Sequence, residues 1–150
     1  MKWNRRQLLA AAAASAAISR LPEPAARGDS SDQQLIEAAR RPVLKRDALE
    51  SPVIIDSIDC LRNGRDEFVR VRSKDGAVGI ALTNSRGRYL FPILKQLIVP
   101  YFIGKDARDL EGHLWEAYRY RSNYKLQGLA FWSPIAWLEM AILDMLGRVS

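Results

Sequence analysis

The stretch VIIDSIDCLRNGRDEFVRVRSKDGAVGIAL, residues 53–82, decides the fold of this chain. It contains three segments rich in β-branched residues, VIIDSIDCL, EFVRVRS and VGIAL, separated by RNGRD and KDGA. Asn63-Gly64 and Asp75-Gly76 are strong turn dipeptides because these residue types accept a positive φ. The sequence therefore predicts a three-stranded antiparallel β-meander with two tight turns.

Alternation along the strands predicts which face of the sheet is buried. In the second segment Val69 and Val71 point to one face, and Arg70 and Arg72 point to the other. The apolar residues that share a face of the third segment are Val78, Ile80 and Leu82. We expect one polar face and one buried face covered by helices, because a sheet this small is not stable alone.

About three helices are predicted after the sheet. Apolar residues at helical spacing from Leu90 to Ile98 predict the first helix, which Pro100 is expected to end. A second helix is expected to start near Asp106, a favourable N-cap residue. Strands followed by helices indicate the α+β class rather than a parallel α/β sheet.

The last helix is the most apolar part of the chain. Ser133 is expected as its N-cap, Pro134 at its first position and Gly147 just past its end. At about 13 residues it would be too short to span a bilayer. Because it is apolar nearly all round, we expect one side to pack on the sheet and the other to need a second body. Asp144 is expected to satisfy neighbouring backbone or polar groups.

The N-terminus has the layout of an export signal. MKWNRRQLLAAAAASAAIS begins with basic residues, and a short apolar run and small residues follow. The adjacent Arg5 and Arg6 resemble a twin-arginine signal. We expect a signal peptide at residues 1–26, a polar arm at residues 27–51 with a short helix from Asp32 to Arg40, and export to the periplasm. An alanine-rich amphipathic or disordered start is the alternative.

Composition excludes several kinds of site. Cys60 and His113 are the single cysteine and histidine of 150 residues, which excludes an internal disulfide and a Cys/His metal site within the chain. Half of the net charge of +6 lies in residues 1–26, so it is weak evidence for nucleic-acid binding. The stretch WEAYRYRSNYK, residues 115–125, mixes aromatic and basic residues, but we expect it to pack at a helix end and bind no nucleic acid.

The order of these elements resembles the N-terminal domain of the mandelate racemase/muconate lactonizing enzyme family, within the enolase superfamily. That family has a closing run Ala-x-x-Asp-x-x-Gly-Lys, which Ala141, Asp144 and Gly147 match, with Arg148 in place of lysine. The residues that match the family's strand Asp-Gly-x-x-Gly-x-Gly/Ala are Asp75, Gly76, Gly79 and Ala81. The resemblance covers about residues 53–150.

This resemblance implies a capping domain, residues 52–150, separated from its enzyme. In the family this domain covers a (β/α)-barrel that holds Mg²⁺ with three carboxylates and carries lysine or histidine bases. The parent reaction would be racemisation, dehydration or cycloisomerisation of a carboxylate substrate by α-proton abstraction. No barrel strand follows here, so the resemblance implies that the fragment alone has no catalytic residue and no metal ligand, and is inactive. The last helix would pack against the missing barrel.

The resemblance also implies which residues cap the substrate. The first capping loop, between the first two strands, contributes Arg62 and Asn63, and it is shorter than the mobile flap of many members. The second loop follows the third strand and contributes Thr83, Asn84, Ser85, Arg86 and Tyr89. Solvated loops are the alternative for these residues. The alternative for the whole chain is a self-standing exported α+β binding or dimerisation module, and a homo-oligomer is possible in either case.

Overall fold

The computed structural model describes residues 29–41, 44 and 46–150. The chain divides into two compact units, residues 1–43 and residues 44–150. Helix α1, Asp29–Arg40, belongs to the first unit and extends the helix that the sequence predicts from Asp32. The predicted signal peptide, with Arg5 and Arg6, lies outside the described residues.

The second unit contains the predicted β-meander. Its strands are β1, Ile55–Asn63, β2, Asp66–Ser73, and β3, Val78–Leu82. They form one antiparallel sheet in the order β1-β2-β3. With the helices that follow, this sheet confirms the α+β class.

The first turn is tighter than its sequence suggests. Asn63 pairs with Asp66 at the end of the β1–β2 ladder, so the loop consists of Gly64 and Arg65 alone. Gly64 has a φ of 62° and stands at the first loop position, as a type II′ turn requires. The sequence suggested that Asn63 lies at the centre of the turn. In the structure Asn63 is instead the last residue of β1.

Helical segments follow the sheet and alternate with single turns. The α-helices are α2, Gly87–Ile93, α3, Val99–Phe102, α4, Leu110–Arg119, and α5, Leu129–Val149. A π-helical segment, Leu94–Ile98, joins α2 to α3. Short 3₁₀ turns occupy Arg46–Ala48, Ala107–Asp109 and Tyr120–Lys125.

Pro100 does not end the first helix, contrary to the prediction. The helical run continues through α3 to Phe102, whose side chain is fully buried. The π-helical segment ends at Ile98, two residues before Pro100, and its wider turn accommodates a residue that has no N–H to donate. Buried Leu94 and Ile98 anchor this irregular segment in the core.

Asp106 caps the next helical stretch, as predicted. Its Oδ1 accepts hydrogen bonds from the backbone N–H groups of Arg108 and Val53, both at 3.1 Å. Its carboxylate also pairs with the Arg108 guanidinium at 2.8 Å. Because Val53 precedes β1, Asp106 ties the start of the sheet to the start of α4.

Helix α5 has 21 residues and is longer than the residues expected at its two ends predict. It begins at Leu129, after Gly128 with a φ of 62°, so Pro134 lies inside it and Gly147 is still helical. Buried Phe131 packs in the added first turn, and this tertiary contact compensates for the hydrogen bond that Pro134 cannot make. The predicted length of about 13 residues was wrong.

One side of α5 forms the core with the sheet. The fully buried side chains of Leu138, Ile142 and Met145 share a single apolar cluster with Val69 and Val71. By length and composition α5 could also cross a membrane, and half of its apolar window is buried within the unit. A helix buried in the core of a folded domain can have the same length and apolar composition, so these two properties alone are weak evidence for a membrane span.

The face of β3 that meets α5 is the opposite of the predicted one. Gly79 and Ala81 are buried there, whereas Ile80 and Leu82 are 47% and 58% exposed. A Cβ on Gly79 would overlap the carbonyl oxygen of Ala141 and lie 2.7 Å from Cβ of Met145. Helix α5 approaches β3 so closely that only very small residues fit between them, which turns the larger residues outward.

Candidate functional site

The candidate site is a cavity of about 510 Å³ at one end of the sheet. It lies where the β1–β2 turn meets the segment that follows β3. The residues that line it are Arg62, Gly64, Arg65, Asp66, Glu67, Leu82, Thr83, Asn84, Ser85 and Arg88. Two segments about 20 residues apart in the chain thus form one concave surface.

An ion pair between Arg62 and Glu67 forms part of the wall of this cavity. The two residues are cross-strand partners in the first hairpin. Oε1 of Glu67 accepts hydrogen bonds from Nε of Arg62 at 3.1 Å and from its Nη2. Glu67 is only 7% exposed. A guanidinium has five N–H donors, so Arg62 is held in place with three donors still available.

The start of α2 packs directly on the same carboxylate. A Cβ on Gly87 would collide with Oε2 of Glu67 and with Oγ1 of Thr83. The backbone N–H of Thr83 donates to the carbonyl oxygen of Glu67 at 2.8 Å. Glycine at position 87 therefore lets α2 begin against the cavity wall.

Asn84 shapes the second wall. Its Oδ1 accepts a hydrogen bond from the backbone N–H of Arg86 at 2.9 Å, and its carbonyl oxygen accepts one from the Thr83 hydroxyl at 3.2 Å. These contacts leave the Asn84 side-chain NH₂ and the Ser85 hydroxyl without partners among the described residues. Both groups are available to a polar ligand.

Two further arginines line the cavity without a carboxylate partner in the described part of the chain. Arg65 occupies the first turn, and Arg88 lies in the first turn of α2. The guanidinium of Arg88 stacks over the Tyr89 ring, 4.6 Å from its centroid. Asp66 also lines the cavity and is likewise unpaired within the described residues. The cavity lining as a whole carries one net positive charge, from three guanidinium groups and two carboxylates.

The structure brings together four of the seven capping residues that the sequence predicts: Arg62, Thr83, Asn84 and Ser85. The other three, Asn63, Arg86 and Tyr89, do not line the cavity. Asn63 ends β1, Arg86 contributes a backbone N–H to the second wall, and Tyr89 supports Arg88.

Sequence reasoning missed Glu67 and did not single out Arg65 or Arg88. The signal for Glu67 was the hairpin register, because a two-residue loop at 64–65 places residues 62 and 67 opposite each other. No sequence signal distinguishes Arg88 from Arg86. Which of them reaches the cavity depends on where α2 begins.

Neither His113 nor Cys60 lines this cavity. His113 packs elsewhere, and both of its ring nitrogens are engaged, Nδ1 with the Tyr101 hydroxyl and Nε2 with the carbonyl oxygen of Asp106, each at 3.1 Å. Burial lowers the pKa of His113. Burial also raises the pKa of the Cys60 thiol to about 11, so this thiol stays protonated and unreactive at neutral pH.

The described residues also contain no group of three or more His, Cys, Asp or Glu side chains placed to hold a metal ion. Asp66 and Glu67 both line the cavity, but Glu67 is already paired with Arg62. The donor set of the cavity suits an anion or a hydroxylated ligand better than Mg²⁺, which prefers several oxygen ligands in octahedral geometry.

Similar proteins of known sequence are acid-sugar dehydratases. The chain is 32% identical over 100 residues to a D-galactonate dehydratase family member from Paenibacillus sp. strain JDR-2, and the alignment covers 63% of this chain and 24% of that relative. It is 32% identical over 105 residues to a D-mannonate dehydratase from Xanthomonas oryzae pv. oryzicola, and this alignment covers 70% of this chain and 24% of that relative. The chain thus spans about a quarter of the length of these relatives.

Two solved structures illustrate proteins that share the fold. A mandelate racemase/muconate lactonizing protein from Paracoccus denitrificans PD1222, complexed with magnesium, matches with a TM-score of 0.56 and 19% identity over 65% of this chain and 28% of that one. A muconate cycloisomerase from Azorhizobium caulinodans matches with a TM-score of 0.54 and 18% identity, covering 66% and 28%. No protein-family model matches the chain.

Proposed function

We propose that residues 44–150 are the substrate-capping domain of an exported enolase-superfamily enzyme, a dehydratase or racemase that acts on a hydroxylated carboxylic acid. The observation that carries this proposal is the cavity, because it joins the two segments that the family resemblance assigns to capping. The similarity to D-galactonate and D-mannonate dehydratases supports an acid-sugar substrate.

The second support is the exposed side of α5. The residues that form an apolar stripe at helical spacing there, called the α5 stripe, are Leu129, Trp132, Ala136, Met140 and Leu143. All of them except half-buried Ala136 are exposed. A continuous exposed stripe of this kind favours a contact with another folded body. In this proposal that body is the barrel domain of the longer protein.

The cap contributes binding and shielding rather than chemistry. In the proposed enzyme, Arg62, Asn84 and Ser85 contact the end of the substrate that lies away from the reacting carbon. Closing the cavity over the substrate excludes water from the reaction. Proton abstraction and Mg²⁺ binding belong to parts of the longer protein outside this chain. The 150-residue chain is therefore expected to be inactive alone.

Export by the twin-arginine route is part of the same proposal. It rests on Arg5, Arg6 and the short alanine-rich run that follows them. Fusing residues 1–27 to a reporter protein should direct that reporter to the periplasm. Replacing both arginines with lysine should abolish this transport, and unchanged transport would contradict the assignment.

The α5 stripe also fits the alternative, a self-standing module that dimerises. Sedimentation of the purified chain separates the two proposals. A capping domain without its barrel should be monomeric at low concentration and bind an apolar dye. A stable dimer that protects the α5 stripe and binds no dye would favour the self-standing module instead.

Two variants make this experiment specific. Met140→Lys and Leu143→Lys should reduce dye binding while urea stability changes by about 0.5 kcal/mol or less, because both side chains are at the surface. The matched control, Met145→Lys, buries a charge in the core and should unfold the domain. Dye binding that Met140→Lys and Leu143→Lys leave unchanged would show that the dye binds elsewhere.

The enzymatic part of the proposal needs the longer product. Reading the gene through and beyond codon 150 shows whether the frame continues into a barrel domain. If it does, the full product should dehydrate galactonate or mannonate with a dependence on added Mg²⁺. Arg62→Ala should then lower kcat/KM by about tenfold or more, the effect of losing a hydrogen bond to a charged group. A full product without this activity on any hydroxylated acid would reject the proposal.

A further inference from the structure

We infer that Glu139 anchors the body that covers the α5 stripe, and that this body supplies an arginine or lysine which pairs with the Glu139 carboxylate. The inference rests on the proposed function for the identity of that body, a folded domain of the longer protein. It adds the chemistry of the contact, because a purely apolar partner surface would not suit this side of α5.

The position of Glu139 is the first argument. Glu139 lies three residues after Ala136 and four residues before Leu143, so the three side chains share one side of α5. The α5 stripe is therefore accompanied by a carboxylate near its middle. Any body that covers the whole α5 stripe must also cover this carboxylate.

The lack of a partner for Glu139 is the second argument. Its carboxylate forms no hydrogen bond or ion pair with any other described residue, although the side chain is already half-buried. Burial raises the pKa of Glu139, as expected for an ionised group that has lost part of its hydration. Further loss of water beneath an apolar surface would be costly, whereas an arginine or lysine opposite the carboxylate compensates for it.

The charges of α5 argue against a second copy of the same helix as the covering body. The one basic residue of this helix is Arg148, whose guanidinium is paired with Asp144 at 3.1 Å. If two copies packed α5 against α5, each Glu139 would meet apolar side chains or the Glu139 of the other copy. The positive charge must therefore come from a different surface.

The size of the exposed surface indicates a folded domain. Trp115 of α4 is 61% exposed, and its ring meets the ring of Trp132 nearly at a right angle, with 6.4 Å between their centroids. The apolar surface thus continues from α5 onto α4. A surface formed by two helices fits a broad partner better than a single peptide, and exposed tryptophans are typical of such contacts.

The first experiment measures self-association of the 150-residue chain by sedimentation equilibrium. Glu139→Leu removes the unpaired carboxylate, so this variant should dimerise at least about tenfold more tightly than the parent chain. Adding Met140→Lys should reverse the gain. The matched control, Glu50→Leu, makes the same change at an exposed position before β1 and should leave association unchanged. Urea unfolding of each variant confirms that the fold is retained.

The second experiment uses the product of the gene read beyond codon 150. Glu139→Lys sets a positive charge against the arginine or lysine of the covering domain. The opened form, measured by binding of an apolar dye, should become at least about tenfold more populated. Each arginine and lysine of the covering domain is then changed to glutamate in the Glu139→Lys protein, and one such change should restore the closed form. Glu50→Lys is the control and should leave dye binding unchanged.

Three results would overturn the inference: a parent chain that dimerises through α5 as tightly as Glu139→Leu, equal dye binding by Glu139→Lys and Glu50→Lys, or no rescue by any arginine or lysine change. A reading frame that ends at codon 150 would also overturn it, because no covering domain would then exist. None of these measurements needs turnover. A longer product with a paired Glu139 but no activity on hydroxylated acids would reject the enzymatic proposal alone.

Discussion

The carboxylate of Asp144 in α5 accepts a hydrogen bond from the backbone N–H of Ile80 in β3, with Oδ2 and N separated by 2.9 Å. The same carboxylate pairs with Arg148 one turn further along α5. β3 is an edge strand, so its outward N–H would otherwise lack a partner in the sheet. The closing run that carries the family resemblance thus docks the last helix on the sheet.

Removal of this contact should destabilise the domain most at neutral pH. Hydrogen bonds from Ile80 and Arg148 lower the pKa of Asp144. Its ionised form therefore contributes stability that is present above the unfolded value, near 3.8, and is lost as the pH falls below it. Asp144→Asn should lower the urea midpoint at pH 7. It should also reduce the loss of unfolding free energy that the parent chain shows as the pH falls below about 3.8. Asp56→Asn, on an exposed β1 residue, is the control and should do neither.

Gly79→Ala should be among the most damaging small substitutions. The added methyl group has no space between β3 and α5, so the helix must move away, at a cost of about 3 kcal/mol in the free energy of unfolding. Gly112→Ala, in α4, meets nothing within 4 Å and should stabilise by about 0.5–1 kcal/mol. Urea unfolding followed by circular dichroism measures both. Equal stability of the two variants would mean that α5 does not lie against β3 as described.

Asn123 holds two irregular segments together. It is 2% exposed, and its Nδ2 donates to the carbonyl oxygens of Leu97 and Ala117, both at 2.9 Å. Leu97 lies in the π-helical segment, where the ladder is irregular. Asn123→Ala leaves both carbonyls unsatisfied and should cost about 2 kcal/mol or more. Gln127→Ala, on an exposed side chain nearby, should change stability by less than about 0.5 kcal/mol.

His113 should make stability depend on pH below neutrality. Burial lowers its pKa from 6.5, so the unfolded chain binds a proton more readily than the folded one. The free energy of unfolding should then fall as the pH drops through 6.5 and level off below the folded pKa. Above pH 6.5 the histidine is neutral in both states, so it does not change the free energy of unfolding with pH. Urea titrations between about pH 5 and 8 on the parent chain and on His113→Gln test this expectation. A parent slope that His113→Gln retains would assign the effect to another group.

Sequence reasoning predicted the strands better than the helix ends. Turn dipeptides and alternation are local signals, and they located the meander and the inward direction of Val69 and Val71 correctly. Pro100 and Pro134 were interpreted as boundaries because a proline inside a helix loses a hydrogen bond. Both lie within helical runs here, since a π-helical segment precedes one and buried Phe131 anchors the turn before the other.

That the two predicted capping loops contact a substrate stays a prediction. The structure shows that both segments line one cavity, with four of the seven predicted side chains. Within them, strand pairing and the start of α2 decide which side chain faces inward. That is why Arg65 and Arg88 line the cavity, whereas Asn63 and Arg86 do not.

The sequence by itself determined the α+β class, the order of the strands and the presence of a closing helix too apolar to be fully exposed. Those features follow from the directions of successive side chains, which local spacing sets. Only the tertiary structure decided that Gly79 and Ala81, rather than Ile80 and Leu82, face α5, and that the β1–β2 hairpin and the segment after β3 form a shared cavity. The first depends on how closely α5 approaches the sheet, and the second on the packing of Thr83 and Gly87 against Glu67. Both are contacts between segments far apart in the chain.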